Sequence, residues 1–204
     1  GGDYYDFIET MPDKIGLVIG DASGHGLGAA LMMVGVRASL LSFLPLDYPI
    51  HEIFEIVNNR VESDGQTERF MTLFLGLINL KDNTLKYASA GHDSGLLYRP
   101  EEDKFYELES NGIPLGMMPN WQYEISNEIR LKPKDILVIT TDGVPEAFNE
   151  KNEAFGYERL KEVIRQSTQQ TADFTCQKIR NKVLEHINTA TRTDDITVIV
   201  AICR

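Results

Sequence analysis

Short, nearly unbroken apolar runs crowd the middle of this chain, and they limit its fold more than any other feature. Residues 15–19 and 70–80 lack the strict polar alternation of a half-solvated strand. They read as strands covered on both faces. Further strands are expected at residues 4–8, 85–88, 96–98, 105–108, 123–131, 136–139 and 196–200, with a two-residue hairpin turn at Asp82-Asn83. Helical periodicity comes in two pairs. Ser23 is expected to cap a helix over residues 25–44, stopped by Pro45 and apolar around most of its circumference, hence largely buried. Pro49 opens a second helix, with Ile50, Ile53, Phe54, Val57 and Val61 on one stripe. Tyr157, Leu160 and Ile164 mark a third, and Cys176, Ile179, Val183 and Ile187 a fourth that Thr171 can cap.

Strands bracketed by helix pairs are not the βαβα alternation of a doubly wound sheet. The expected fold is α+β, an α-β-β-α sandwich of two mostly antiparallel sheets flanked by helix pairs. No Pro/Gly/Ser linker divides the chain, so residues 1–204 are expected to form a single domain. The chain opens directly on a strand-like stretch, as expected of a module cut from a longer protein.

Composition narrows the function classes. With 42% hydrophobic residues in 204, the chain can bury a substantial core and is not a disordered segment. Acidic residues outnumber basic ones 31 to 20, for a net charge of −11, which repels a phosphate backbone and argues against a nucleic-acid partner. The most apolar stretch, residues 27–36, is closed by Arg37 and is too short to span a bilayer, so no membrane contact is expected. Two isolated cysteines, Cys176 and Cys203, make neither a disulfide framework nor a zinc site and suit burial in a reducing cytoplasm.

The informative residues are aspartates at strand ends. Asp21 follows the run 15–20, Asp142 follows 136–141, Asp194 and Asp195 precede 196–200, and Asp3 precedes 4–8. In antiparallel neighbours the end of one strand lies beside the start of the next, so these carboxylates are expected to gather at one edge. Clustered carboxylates repel unless they are protonated or share cations. An oxygen-only donor set suits Mg²⁺ or Mn²⁺ rather than zinc. Two such ions sharing a carboxylate can acidify a water between them and neutralise a phosphoryl group. Any single aspartate at a strand end is ordinary turn chemistry. Asp21, in the glycine-rich Gly20-Asp21-Ala22-Ser23-Gly24-His25-Gly26, and Asp142, before Gly143, exceed that reading. His25 is open to two readings, a proton donor to a leaving group or a helix-cap or packing histidine. His92 reads as a loop-stabilising residue.

Six motifs occur in order: Gly1-Gly2-Asp3-Tyr4-Tyr5-Asp6, the 20–26 motif, Ala90-Gly91-His92, Gly112-Ile113-Pro114-Leu115-Gly116, Thr141-Asp142-Gly143-Val144 and Thr193-Asp194-Asp195-Ile196-Thr197. Together they resemble the bacterial SpoIIE/RsbU branch of the type 2C (PPM) metal-dependent serine/threonine protein phosphatases. The resemblance implies an α-β-β-α sandwich with a centre of two divalent cations, Mn²⁺ or Mg²⁺, hydrolysing phosphoserine or phosphothreonine. Carried over by position, it implies that Asp21 bridges both metals and that Asp142 and Asp194 complete one site. Asp3 and the backbone carbonyl of Ala22 would serve the other, with Asp195 as a reserve ligand. It further implies a phosphorylated STAS-type anti-sigma-factor antagonist as substrate and a place as the C-terminal output module of a sensor or receiver protein. The helices over residues 25–61 resemble the element through which such regulators switch the metal site, often with formation of a homodimer. Two rival readings remain, a non-catalytic binding or scaffold module on the same fold and a small-molecule phosphohydrolase.

Overall fold

Antiparallel pairing accounts for every named strand of the computed structural model, which describes residues 2–63, 69–190 and 194–204. In chain order the elements are β1 (Asp3–Met11), β2 (Lys14–Ala22), α1 (Leu27–Phe43), a 3-10 turn (Leu44–Leu46), α2 (Ile50–Ser63), β3 (Met71–Asn79), β4 (Thr84–Ala90), β5 (Gly95–Arg99), β6 (Lys104–Leu108), β7 (Ile129–Arg130), β8 (Ile136–Thr140), α3 (Gly156–Arg165), α4 (Ala172–Ile187) and β9 (Val198–Ile202). They fall into two units, Gly1–His92 with Glu109–Arg130, and Asp93–Leu108 with Leu131–Arg204.

The first unit holds the sheet β1-β2-β3-β4-β7 and the pair α1 and α2. Alternate side chains of the sheet, Tyr4, Ile8, Val18, Leu73, Leu75 and Ala88, form one core with Val36 and Leu40 of α1 and Ile53, Phe54 and Val57 of α2. Each fully buried side chain of this size contributes roughly 1.5–3 kcal/mol. The second unit holds the sheet β6-β5-β8-β9 with α3 and α4. Leu96, Tyr98, Ile136 and Val138 pack there with Leu160, Ile164, Ile179, Val183 and Ile187. Thr171 caps α4 as expected, its hydroxyl accepting from the Phe174 N–H at 3.2 Å. The α+β class, the antiparallel sheets and the paired helices are therefore as the sequence pattern implies.

Several local expectations are corrected. Ser23 does not cap α1. Its Oγ accepts from the Phe70 N–H at 2.9 Å, tying the loop after β2 to the start of β3, and Gly26 stands at the N-cap with no side-chain bond. Nor is α1 largely buried, because only one side meets the core while Leu27 (76%), Leu31 (62%) and Val34 (56%) lie exposed. With its 3-10 extension, Leu27–Leu46 is long and apolar enough by length and composition to cross a membrane. Its inner side nevertheless packs on the sheet, and Arg37 pairs with Asp6 at 3.0 Å. The stretch 123–131 joins the β4 ladder only at Ile129 and Arg130. Ser126 also reaches β4, its N–H donating to the Tyr87 carbonyl at 2.8 Å and its Oγ accepting from the Tyr87 N–H at 3.0 Å, while the Tyr123 hydroxyl turns to the Ile113 carbonyl. The turn before β4 has four residues rather than two, with Asn79 opposite Thr84. β9 starts two residues later than the apolar run suggests. Cys176 and Cys203 are free thiols and only partly buried.

The 112–116 motif proves structural. Leu115 and Met71 exchange backbone hydrogen bonds at 2.8 and 3.0 Å, and Gly91 N–H donates to the Gly112 carbonyl at 2.8 Å. Asn58 of α2, fully buried, holds the following turn. Its Oδ1 accepts from Gly116 N–H (2.9 Å) and the Tyr123 hydroxyl (3.2 Å), and its Nδ2 donates to the Met118 carbonyl (2.8 Å). Replacing Asn58 with Ala leaves buried partners unsatisfied, at about 1–3 kcal/mol each. Urea unfolding of Asn58→Ala is expected to show a loss of about 2–4 kcal/mol with an unchanged slope. A loss below about 0.5 kcal/mol would contradict this role.

Candidate metal centre

The β1–β2 ladder sets Asp3 directly opposite Asp21. Residues so paired share one face of the sheet, with Cβ atoms about 4.5–5.5 Å apart. Both side chains are half-buried. Ala22, the last residue of β2, is buried and donates its N–H to the Gly2 carbonyl at 3.1 Å. A side chain at Gly2 would meet the Ala22 carbonyl oxygen at 2.4 Å and Asp21 Oδ1 at 2.6 Å. The bare Cα at that position therefore leaves open a space bordered by two of the predicted donor oxygens. Sequence had placed Asp3 and Asp21 just outside their strands. Both are strand residues, and their positions follow from register rather than from loop conformation.

In the second unit, Asp142 leaves β8 and Asp194-Asp195 lead toward β9. Thr141 and Thr197 clamp the two segments: Thr141 N–H donates to the Thr197 carbonyl, and Thr197 N–H donates to Thr141 Oγ1, both at 3.2 Å. Gly143 is needed here because a Cβ at that position would lie 1.8 Å from the Asp195 carbonyl oxygen. Asp194 Oδ1 accepts from Asp195 N–H at 2.8 Å. Asp142 Oδ1 is buried without a hydrogen-bond partner. Burial, followed by the charges of Asp194, Glu146 and Asp93, holds the Asp142 carboxyl above the usual carboxylate range, against a lowering by the Gly143 N–H.

Asp93 and Glu146 are neighbours that the sequence reading did not connect with Asp142. Asp93 follows the Ala90-Gly91-His92 motif, and its Oδ2 accepts from the Tyr157 hydroxyl of α3 at 2.9 Å. No spacing rule announces this, because α3 and the 93 loop meet only through the fold. His25 is exposed between Gly24 and Gly26 and neither caps α1 nor packs in the core. His92 is buried, with Nδ1 3.0 Å from Thr72 Oγ1.

Among the described residues these carboxylates meet as pairs, and no group of three or more His, Cys, Asp or Glu could hold a metal ion by itself. The donor set nevertheless fits hard divalent cations: carboxylate and carbonyl oxygens without nitrogen or sulfur, one oxygen buried and unpartnered, and a surplus of negative charge around it.

The model of the stage II sporulation protein E (SpoIIE) family matches residues 11–204. The chain belongs to the SpoIIE family. The chain is similar to protein IcfG of Synechocystis sp., 30% identical over 97% of this chain and 35% of that protein. Phosphoserine phosphatase RsbU of Bacillus subtilis is 31% identical over 73% of this chain and 44% of its own length. The chain thus spans less than half of these curated relatives. The fold matches that of the SiaA-PP2C domain of Pseudomonas aeruginosa, with a TM-score of 0.85, 22% identity, and coverage of 100% of this chain and 81% of that one. The family match begins after Asp3, so the place of Asp3 beside Asp21 rests on strand register alone.

Because folding raises the Asp142 pKa, this group favours the fold fully below its ordinary value of 3.8, and that contribution is lost as pH rises through the raised value. Asn at this position removes the group whose charged form burial and the acidic neighbours disfavour. Asp142→Asn is expected to raise the melting temperature in chelator by about 2–4 °C, the shift that about 1 kcal/mol produces at this size. The further rise that Mn²⁺ gives the wild type should shrink in the variant. A lower melting temperature in chelator with an undiminished response to Mn²⁺ would contradict this reading.

Proposed function

We propose that this chain is a metal-dependent serine/threonine protein phosphatase domain that hydrolyses phosphoserine or phosphothreonine on a signalling protein. The observation that carries the proposal is the buried, unpartnered oxygen of Asp142 among acidic neighbours, in a chain of the SpoIIE family. Its similarity to phosphoserine phosphatase RsbU supports the reaction class.

In this reading the chain's aspartates would hold divalent cations, Mn²⁺ or Mg²⁺. Asp21, Asp3 and the Ala22 carbonyl would hold one, and Asp142 and Asp194 would hold the other, with Asp195 in reserve. When bound, the cations supply an acidified water and neutralise charge on the phosphoryl group. The chain's own residues then divide the remaining work. With water and phosphoryl group held in line, the water oxygen would bond to phosphorus as the P–O bond to the seryl or threonyl oxygen breaks, its proton passing to solvent and inorganic phosphate leaving without a phosphoenzyme. His25, exposed in its glycine-flanked turn, is the assigned proton donor to the departing alkoxide. Its exposure suits a substrate that is itself a folded protein.

We assign the substrate to the STAS type of anti-sigma-factor antagonist, and the domain to the cytoplasmic output end of a longer regulatory protein with a sensor or receiver segment upstream. The relatives are more than twice as long as the segment they share with this chain, which supports that assignment. The exposed row Leu27, Leu31 and Val34 on α1 is the surface we assign to regulatory contact, including a homodimer.

Incubation with a phosphoserine-bearing STAS protein should release phosphate in Mn²⁺, stop in chelator and resume on Mn²⁺ addition. Asp21→Asn and Asp142→Asn should each lose at least about 100-fold in turnover, as the removal of several kcal/mol of charge stabilisation implies. Undiminished hydrolysis in chelator would overturn the proposal, as would turnover of free nucleotides at rates that exceed those of phosphoproteins.

A further inference from the structure

The proposed chemistry leaves His92 without a task, although it is a buried imidazole at 3% exposure. It also sits in one of the motifs that set this sequence apart. The β2–β3 ladder places Thr72 directly opposite Asp21, just as β1–β2 places Asp3 opposite it. Asp3, Asp21 and Thr72 therefore form one row across three strands, on one face of the sheet. Two residues along the same ladder, Ile19 faces Phe74, and both are fully buried, so the row lies at the polar margin of an apolar face. His92 extends the row. Its Nδ1 lies 3.0 Å from Thr72 Oγ1, and its backbone carbonyl accepts from the Ser89 hydroxyl at 3.4 Å. Ser89 is itself fully buried, and the adjacent Gly91 N–H donates to the Gly112 carbonyl, so the segment carrying the ring is fixed.

We propose that Thr72 and His92 are positioning residues for the Asp21 carboxylate. In the tautomer with a proton on Nδ1, His92 donates to Thr72 Oγ1 and fixes its rotamer, which frees the Thr72 O–H to donate toward Asp21 across the ladder. A carboxylate held from behind in this way presents its other oxygen to a cation in one orientation, as the partners behind metal ligands generally do. Burying an imidazole at an apolar margin costs free energy that packing alone does not return, and orienting Asp21 through the half-buried Thr72 gives that cost a purpose. The inference rests on the reading of Asp21 as a cation ligand.

Mn²⁺ titrated calorimetrically into the whole chain tests it, alongside melting temperatures measured in chelator. Thr72→Val keeps the shape and the strand propensity while removing the hydroxyl. It is expected to weaken Mn²⁺ binding about 10–100-fold, the usual effect of losing such a partner, with the chelator melting temperature unchanged within about 2 °C. Thr72→Ser, which keeps the hydroxyl, should bind within threefold of wild type. His92→Asn, whose amide can replace the Nδ1 donor, should bind better than His92→Leu. Wild-type affinity in Thr72→Val would overturn the positioning role while leaving Asp21 as a ligand. A parallel fall in melting temperature and affinity, not rescued by Thr72→Ser, would also overturn it by marking the pair as structural. No Mn²⁺ binding by the wild type would instead overturn the reading of Asp21 on which the inference stands.

Discussion

Repulsion between carboxylates that antiparallel pairing forces together is the constraint on which this protein's account depends. A strand end opposite a strand start brings two side chains to within a few ångströms, whatever their charge. In the first unit that rule sets Asp3 against Asp21. In the second, the 141–142 and 194–197 segments are clamped by a pair of threonines, and the charge of Asp194 acts on Asp142. Ordinary folds answer such repulsion with a lysine, an arginine or solvent. Around Asp142 the fold supplies burial and three further acidic groups, the opposite of what stability alone would select. A divalent cation is the simple answer to that arrangement.

Close backbone approach makes these pairs possible. A methyl group on Gly143 would collide with the Asp195 carbonyl, and one on Gly2 with the Ala22 carbonyl and the Asp21 carboxylate. Other distinctive motifs serve the frame instead. The 112–116 segment closes against Met71 and Gly91 and is pinned by Asn58, so its glycines and proline shape a turn and include none of the expected ligands. One set of residues thus keeps charges near each other, and a second keeps the first from relaxing away.

Much of this was legible in the sequence. Continuous apolar runs at residues 15–19 and 70–80 identified doubly covered strands, the stripe on α2 predicted its buried face, and Thr171 caps α4 as its side chain suggests. Aspartates at strand ends pointed to the pairing of Asp3 with Asp21 because strand register is a short-range property. The misreadings share a cause, namely that composition does not reveal which tertiary partner a group will find. Ser23 has the right residue type for a cap, yet its hydroxyl satisfies Phe70. The apolar circumference of α1 implied full burial, but one helix can turn only one side to a sheet, and Leu27, Leu31 and Val34 stay outside. Asp93 acts on Asp142 from a loop about fifty residues earlier, and His92 reaches Thr72 across the sheet, at separations no local pattern encodes.

Anomalous diffraction from crystals grown with Mn²⁺ tests the central claim most directly, because it locates the ions themselves. The account predicts two anomalous peaks in contact with aspartate oxygens, one including Asp21 and the other including Asp142, at the roughly 2.0–2.2 Å typical of small hard cations. A map with no peak beside either residue, or with a lysine or arginine nitrogen against Asp142 in place of an ion, would contradict it.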